Sequence, residues 1–236
     1  MKIVRIGLLL PLLLLTLSSC TALKSQSLNG PGWYQVKPTD TLYSIAWRYG
    51  LDFRQLAKWN ELSEPYPIKP GQQLILLKPD KLPAAAVVEN KSSAKSLKKT
   101  AVIVKPLTPS YNQAIRWHWP TRGKLVNRFS VKKLDQHGID IAGKLGQPVN
   151  AVADGKVVYS GAGLSGYGNL IIVKHDNTYL SAYAYNSKRL VKEGKRVKAG
   201  EHIADMGIGK HEQPMLHFQV RKNGKPVDPL KYLPQR

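Results

Sequence analysis

The C-terminal half of the chain consists of short β-type runs separated by closely spaced glycines, and this spacing restricts the fold more than any other feature. β-Branched and aromatic residues fill the runs, and no long helical stretch lies between them. The runs are residues 149–153, 156–160, 170–175, 179–185 and 216–221. Short strands with glycine-containing turns at this spacing predict a mainly β domain.

The last run contains two positions that could carry chemistry. Met215 and His217 lie two residues apart in an apolar stretch that continues to Val220. Alternate residues of a strand point to the same face, so these side chains should lie side by side. Two histidines at this spacing could serve a zinc ion, one as ligand and one as acid or base. A thioether at the first position does neither, so the strand is either a lost metal site or part of a fold that never had one.

The N-terminus predicts export and lipid attachment. Two basic residues precede an apolar core over residues 6–17, which is shorter than the ~20 residues that span a bilayer. This order is typical of a secretory signal peptide, here residues 1–19. Residues 17–20 resemble a bacterial lipobox, which implies that Cys20 is lipidated and begins a tether over residues 20–33. An ordinary signal peptide followed by a chance cysteine is the alternative.

Export determines how localisation and charge are interpreted. In lipoproteins of enteric-type bacteria, an aspartate after the lipidated cysteine favours the inner membrane, so Thr21 favours the outer membrane. Lys and Arg total 36 against 15 Asp and Glu, a formal net charge of +21. Such an excess suits nucleic acid, anionic lipid or an acidic polymer. Outside the cytoplasm we expect no nucleic acid, which leaves anionic lipid and the acidic cell-wall polymer.

Residues 34–77 predict a small α+β unit with the order βααβ. A first helix should begin after Asp40 or Thr41, which are both N-cap residue types, and end at Gly50. A second helix should begin after Asp52. A Pro-Gly turn then leads into a closing apolar strand.

This unit resembles the LysM family, which binds N-acetylglucosamine-containing glycans such as peptidoglycan. The motifs that carry the resemblance are Tyr34-Gln35-Val36, Asp40-Thr41-Leu42, Ile45-Ala46, Trp59-Asn60 and Ile68-Lys69-Pro70-Gly71-Gln72. The resemblance implies a glycan-binding groove between the loop after the first strand and the loop before the second. The groove positions in this chain are Thr39, Asp40, Thr41, Leu42, Pro67 and Ile68. The family commonly has glycine where this chain has Thr39, so the first loop should be less permissive.

Residues 78–116 predict an extended basic linker. Prolines punctuate the segment, alanine and serine are frequent, and no hydrophobic period persists. Lysines cluster over residues 91–99. This composition is typical of a disordered or extended spacer. The lysine cluster is consistent with a solvated tether and with electrostatic adhesion to the wall or membrane.

Residues 117–233 resemble the lysostaphin/LytM-type metallopeptidases, which cut peptide cross-bridges in peptidoglycan. The motifs that carry the resemblance include Phe129-Ser130, His137-Gly138-Ile139-Asp140, Ala153-Asp154-Gly155-Lys156, Gly166-Tyr167-Gly168-Asn169 and Leu216-His217-Phe218. The resemblance implies an antiparallel β fold with a substrate groove. Active members bind zinc through a His-x-x-x-Asp pair and the second histidine of a His-x-His pair. Two further histidines polarise the water and stabilise charge.

Three of these five zinc and catalytic positions are replaced in this chain. Asp140 and His217 remain, whereas Gln136, Tyr185 and Met215 occupy positions that the family fills with histidine. Two protein ligands are fewer than the three that catalytic zinc sites use. No histidine would remain to handle the proton during hydrolysis. We therefore expect no bound metal, no cofactor and no peptidase activity.

The order of lipobox, LysM unit, basic linker and degenerate LytM domain resembles the NlpD-type lipoproteins. That family activates periplasmic N-acetylmuramoyl-L-alanine amidases during daughter-cell separation. The resemblance implies that the former substrate groove binds a partner. Its floor would consist of Gln136, Asp140, Tyr185, Met215 and His217, with Tyr167 and Tyr183 nearby.

Two alternatives remain open. One is a wall-binding envelope lipoprotein without an amidase partner. The other is a residual zinc endopeptidase that uses a substitute ligand such as His137, which lies three residues before Asp140. In an extended strand this odd spacing would send His137 to the opposite face unless a bulge intervenes.

Overall fold

The computed structural model describes residues 32–77, 115–133 and 136–235. The predicted signal peptide, the lipidation at Cys20, most of the tether and almost all of the linker lie outside these residues. Within the described ranges, none of the helices is long and apolar enough to cross a membrane.

The N-terminal elements have the predicted βααβ order. They are β1 (Trp33–Gln35), α1 (Leu42–Tyr49), α2 (Phe53–Trp59) and β2 (Gln73–Ile75), and β1 pairs antiparallel with β2. Thr41, rather than Asp40, caps α1. Its Oγ1 accepts a hydrogen bond from Ser44 N, and Ser44 Oγ accepts one from Thr41 N. Gly50 ends α1 in the left-handed conformation and Asp52 caps α2, as predicted.

The C-terminal elements form a ten-stranded sheet. The strands are β3 (Leu125–Asn127), β4 (Ile139–Ala142), β5 (Pro148–Asn150), β6 (Gly155–Gly161), β7 (Asn169–Lys174), β8 (Tyr179–Arg189), β9 (Arg196–Val197), β10 (His202–Met206), β11 (Met215–Lys222) and β12 (Lys225–Val227). The main order is β3-β4-β11-β8-β7-β6-β9, with every neighbouring pair antiparallel. This confirms the mainly β fold. Strands β3, β4, β9, β10 and β12 lie outside the predicted runs, because they are short or mix polar with apolar residues.

The two faces of the sheet have different neighbours. On β11, Leu216, Phe218 and Val220 point into a core that also contains Ile139 and Ile141 of β4, and all five are fully buried. The alternate residues of β11 are Met215, His217, Gln219 and Arg221, which point to the opposite face. The predicted site and the hydrophobic core therefore share one strand.

The N-terminal elements pack on this opposite face. One apolar cluster contains Leu42, Trp47 and Phe53 from the two helices together with Val158 and Ala182 from the sheet. Hydrophobic periodicity within each unit does not predict this contact, because the contact exists only when both units are folded.

His175 is part of a buried hydrogen-bond chain within the C-terminal domain. Its Nδ1 lies 2.8 Å from Asp154 O, and its Nε2 lies 2.7 Å from Ser181 Oγ. Ser181 Oγ lies 2.9 Å from Tyr183 OH, which accepts a hydrogen bond from Val152 N. Burial disfavours the charged ring and lowers the pKa of His175 to about 4.

The protein is expected to lose stability as the pH falls from about 6.5 towards 4. Unfolded His175 has its ordinary pKa of 6.5, so below this pH the unfolded state binds a proton that the folded state does not. The difference corresponds to about 3 kcal/mol of unfolding free energy, fully present above pH 6.5 and lost towards pH 4. Urea unfolding followed by circular dichroism across this window measures the slope. His175→Gln should flatten it, and an unchanged slope in that variant would contradict the assignment.

Candidate functional site

The centre of the site is a buried pair formed by Asp140 and His217. The two residues lie opposite each other on β4 and β11, and His217 Nδ1 is 2.5 Å from Asp140 Oδ1. Asn127 Nδ2 donates a hydrogen bond of 2.9 Å to Asp140 Oδ2. Burial alone would raise the pKa of Asp140, but the hydrogen bond and charge of His217 and the bond from Asn127 lower it below its ordinary value. Asp140 is therefore an anion held by its neighbours.

The other nitrogen of the imidazole also faces a protein group. Gln219 Nε2 lies 2.8 Å from His217 Nε2 and donates to Tyr167 OH at 3.3 Å. The Tyr167 ring centroid is 6.2 Å from that of His217. Both nitrogens of His217 are thus engaged, one by a carboxylate and one by an amide.

Tyr185 reaches the same site through an unusual backbone conformation. Its φ is +63°, in the left-handed region, and its ring centroid lies 5.7 Å from that of His217. Tyr183, two residues earlier, points into the core and accepts its bond from Val152. The expectation that Tyr183 lies near the groove is therefore wrong, because the backbone change at Tyr185 breaks the alternation of β8.

Met215 closes one side of the site. Its side chain is 4% exposed and packs against Gly209, where an added Cβ would collide with Met215 and lie 2.7 Å from Tyr185 Cδ2. The neighbouring Ile208 is 47% exposed. Asp140 and His217 are also buried, at 2% and 5% exposure. The groups that reach the surface here are consequently the half-buried tyrosines and Ile208.

Gln136 and His137 lie before the strand rather than in it. β4 begins at Ile139, and Gln136 bonds through its backbone to Lys133 and Ser130. His137 lies in a bend and is half-buried, so strand alternation does not determine its direction. Across residues 32–77, 115–133 and 136–235, no group of three His, Cys, Asp or Glu side chains could hold a metal ion.

The donor set does not fit the zinc ion that LytM-type peptidases carry. A zinc-bound imidazole offers a free nitrogen lone pair, whereas both nitrogens of His217 have protein partners. Asp140 already accepts bonds from two side chains. A metal would have to break these contacts with only two of the usual three protein ligands in place.

Zinc is expected to leave the thermal stability of the protein unchanged. A ligand present at 100 times its Kd stabilises the folded state by about 2.7 kcal/mol, so a genuine site would raise the melting temperature by several degrees. Thermal unfolding with zinc and with a chelator measures this directly. The triple variant Gln136→His, Tyr185→His, Met215→His restores the family's ligand types and is the matched control. Zinc stabilisation of the unmodified chain would show that the site still binds metal.

Two of the predicted glycan-binding residues, Leu42 and Asp40, already contact other residues of the protein. Leu42 is 1% exposed and belongs to the shared apolar cluster. Asp40 accepts hydrogen bonds from Tyr34 OH, Lys37 N and Arg48 Nη2. These two side chains therefore have structural partners.

The remaining glycan positions lie at the surface or at the contact with the sheet. Thr41 Oγ1 donates a 3.1 Å bond to Val158 O of β6. Thr39 and Pro67 are exposed, and Ile68 is half-buried against the apolar cluster.

Three contributors to the site were not predicted. They are Asn127, Gln219 and Arg221. Gln219 and Arg221 continue the every-second-residue series that begins at Met215, inside a strand that is otherwise apolar. Polar residues at such positions signal a buried polar network. For Asn127, on a different strand, the sequence contains no comparable signal.

A LysM fold packed on a LytM-type sheet defines a class of cell-wall-associated proteins. Known protein families match both units. The LysM domain model matches residues 34–76, and the Peptidase family M23 model matches residues 135–229. The lipoprotein NlpD/LppB homolog of Pseudomonas aeruginosa is 42% identical, over 87% of this chain and 78% of its own. The chain belongs to the NlpD lipoprotein family.

Two proteins of Escherichia coli K12 are also similar. The murein hydrolase activator NlpD is 38% identical, over 86% of this chain and 68% of its own. The uncharacterized lipoprotein YgeR is 41% identical, over 93% of this chain and 89% of its own.

Proposed function

We propose that this protein is a non-catalytic outer-membrane lipoprotein that binds peptidoglycan and activates a periplasmic N-acetylmuramoyl-L-alanine amidase during septal wall splitting. The observation that carries the proposal is the His217 ring, whose two nitrogens contact Asp140 and Gln219. A metallopeptidase needs this ring as a metal ligand. A relative that is named as a murein hydrolase activator supports a hydrolase partner.

The docking surface would be the tyrosine face, which consists of Tyr167, Tyr185 and Ile208 above the buried Asp140–His217 pair. Tyr167 and Tyr185 flank the His217 ring, and Ile208 is exposed beside Met215. Tyrosine supplies large contact area with a polar tip, and such residues are enriched in binding interfaces. The Asp140–His217 pair below holds these rings in place rather than contacting the partner.

Activation would be a shift between two states of the amidase. A helix that blocks the amidase active site would bind the tyrosine face and be drawn away from that active site. Preferential binding to the open amidase is sufficient, because a ligand shifts an equilibrium by its difference in affinity for the two states. The lipid on Cys20 and the LysM unit would hold this surface between outer membrane and wall.

The test is wall hydrolysis with purified components. The chain from residue 20 onward, with Cys20→Ser, is added to each candidate amidase of the organism on dye-labelled sacculi. We expect dye release to rise with amidase present, no release by this protein alone, and no zinc in it by metal analysis. No gain with any amidase would refute the proposed activation. Chelator-sensitive release by this protein alone would show a residual peptidase instead.

A further inference from the structure

A buried arginine joins the LysM unit to the sheet. Arg221 of β11 donates from Nη1 to Trp47 O of α1 at 2.7 Å, and its guanidinium carbon lies 3.7 Å from the Trp47 ring centroid. Arg221 is 5% exposed, and its Nε has no hydrogen-bond partner among the described residues. Burial lowers the pKa of Arg221 to about 10, with Tyr167 acting in the opposite direction. The group is therefore a cation at neutral pH.

Burial of this cation makes the contact between the two units costly. The residues that act on the charge of Arg221 within the described ranges include Tyr167 but no carboxylate. A buried charge without an opposite charge loses solvation that stacking on Trp47, the carbonyl bond and the contact with Tyr167 offset only in part. Separation of the units would return Arg221 to water. The apolar cluster favours the closed arrangement and the arginine opposes it.

The first loop of the LysM unit is also held against the sheet domain. Thr41 donates to Val158 O, and Arg48 Nη2 donates to Gly163 O at 3.3 Å. A Cβ added at Gly163 would lie 3.0 Å from Thr39 Oγ1. Thr39 and Thr41 are both predicted to bind glycan, and both already lie at the contact between the units.

The same contact continues to the tyrosine face. Tyr167 hydrogen-bonds Arg221 and accepts a bond from Gln219, which contacts His217. Arg221, Gln219 and His217 follow one another on the same face of β11. Movement of the LysM unit off Arg221 would thus alter the support of Tyr167.

We propose that wall glycan and the sheet domain compete for the first loop of the LysM unit, so that glycan binding separates the two units. Separation uncovers apolar sheet positions such as Val158 and Ala182 and frees Arg221 and Tyr167. The proposal rests on the proposed function for the identity of the glycan and for the use of the uncovered face. It makes the sheet positions beneath the LysM unit accessible only at the wall, because glycan shifts the population towards the open form.

A disulfide across the contact tests the competition. The Cβ position at Gly163 lies 4.0 Å from Thr39 Cβ, within the range of roughly 3.5–4.5 Å found in disulfides. The chain from residue 20 onward carries Cys20→Ser with Thr39→Cys and Gly163→Cys, so that the new thiols are the only ones. We expect the oxidised form to bind pelleted sacculi at least tenfold more weakly than the same protein after reduction. Equal binding in the two states would overturn the competition, and failure of the thiols to cross-link would contradict the closed contact itself.

A variant in which the two units are separated tests the converse, that opening strengthens glycan binding. Ala182 is 1% exposed on the sheet beneath the LysM unit and contributes no group to the His217 network. Ala182→Lys places a second cation in the apolar cluster, diagonally across the strand pair from Arg221, and is expected to separate the units, which raises the radius of gyration in solution scattering and strengthens sacculus binding several-fold. Ala182→Ser is the milder matched control. An unchanged radius and unchanged binding would refute the proposal. Sacculus binding needs no amidase, so these results do not depend on whether activation occurs.

Discussion

Tyr185→Glu is expected to weaken amidase activation by at least ~30-fold in a protein that remains folded. Loss of a tyrosine at the centre of an interface typically costs about 2 kcal/mol or more, which corresponds to this factor. The Tyr185 ring is half-buried beside His217, so the change removes contact surface rather than core. A carboxylate there would face an apolar partner segment without an opposite charge. Titration of the variant against amidase on dye-labelled sacculi gives the concentration for half-maximal release.

Tyr185→Phe is the matched control for this experiment. The φ of +63° at Tyr185 strains every residue except glycine, so the phenylalanine and glutamate variants carry the same backbone cost. Phenylalanine keeps the ring, and we expect a loss of about fivefold or less, since one neutral hydrogen bond contributes about 1 kcal/mol. Full activation by Tyr185→Glu would show that the amidase docks elsewhere. Circular dichroism confirms that both variants are folded.

Phe218→Ala is expected to remove about 4 kcal/mol of unfolding free energy, which is a large part of the stability of a typical domain. Phe218 is fully buried on the core face of β11, and its ring centroid lies 5.4 Å from that of Tyr183. Truncation loses the transfer free energy of the ring and leaves a cavity between β11 and β8. Urea unfolding of the variant and the unmodified chain measures the difference.

The Phe218 variants distinguish the core face of β11, which contributes to stability, from its His217 face, which we expect to contribute to binding. Phe218→Leu keeps most of the volume and should cost about 1 kcal/mol. Below its unfolding transition, Phe218→Ala should still activate the amidase, because the residue points away from His217. A loss of less than about 1 kcal/mol for Phe218→Ala would contradict its place in the core.

Much of the fold follows from local chemistry that the sequence displays. Thr41, Gly50 and Asp52 delimit the two helices because capping depends on a residue and its immediate neighbours. The alternation of β11 indicated that Met215 and His217 share a face, and both lie on it. Alternation failed at Tyr183 and Tyr185, because a positive φ at one residue reverses the direction of its side chain and leaves no trace in the pattern.

The sequence by itself determined the two kinds of unit, the residues that replace the peptidase histidines, and the strand that carries His217. These features depend on residue type and spacing, which can be read directly from the sequence. Only the tertiary structure decided that Asp140 and Gln219 occupy both nitrogens of His217 and that Arg221 lies beneath Trp47. These contacts join residues as far as 174 positions apart. Because such pairing depends on the packing of whole units, no local pattern encodes it.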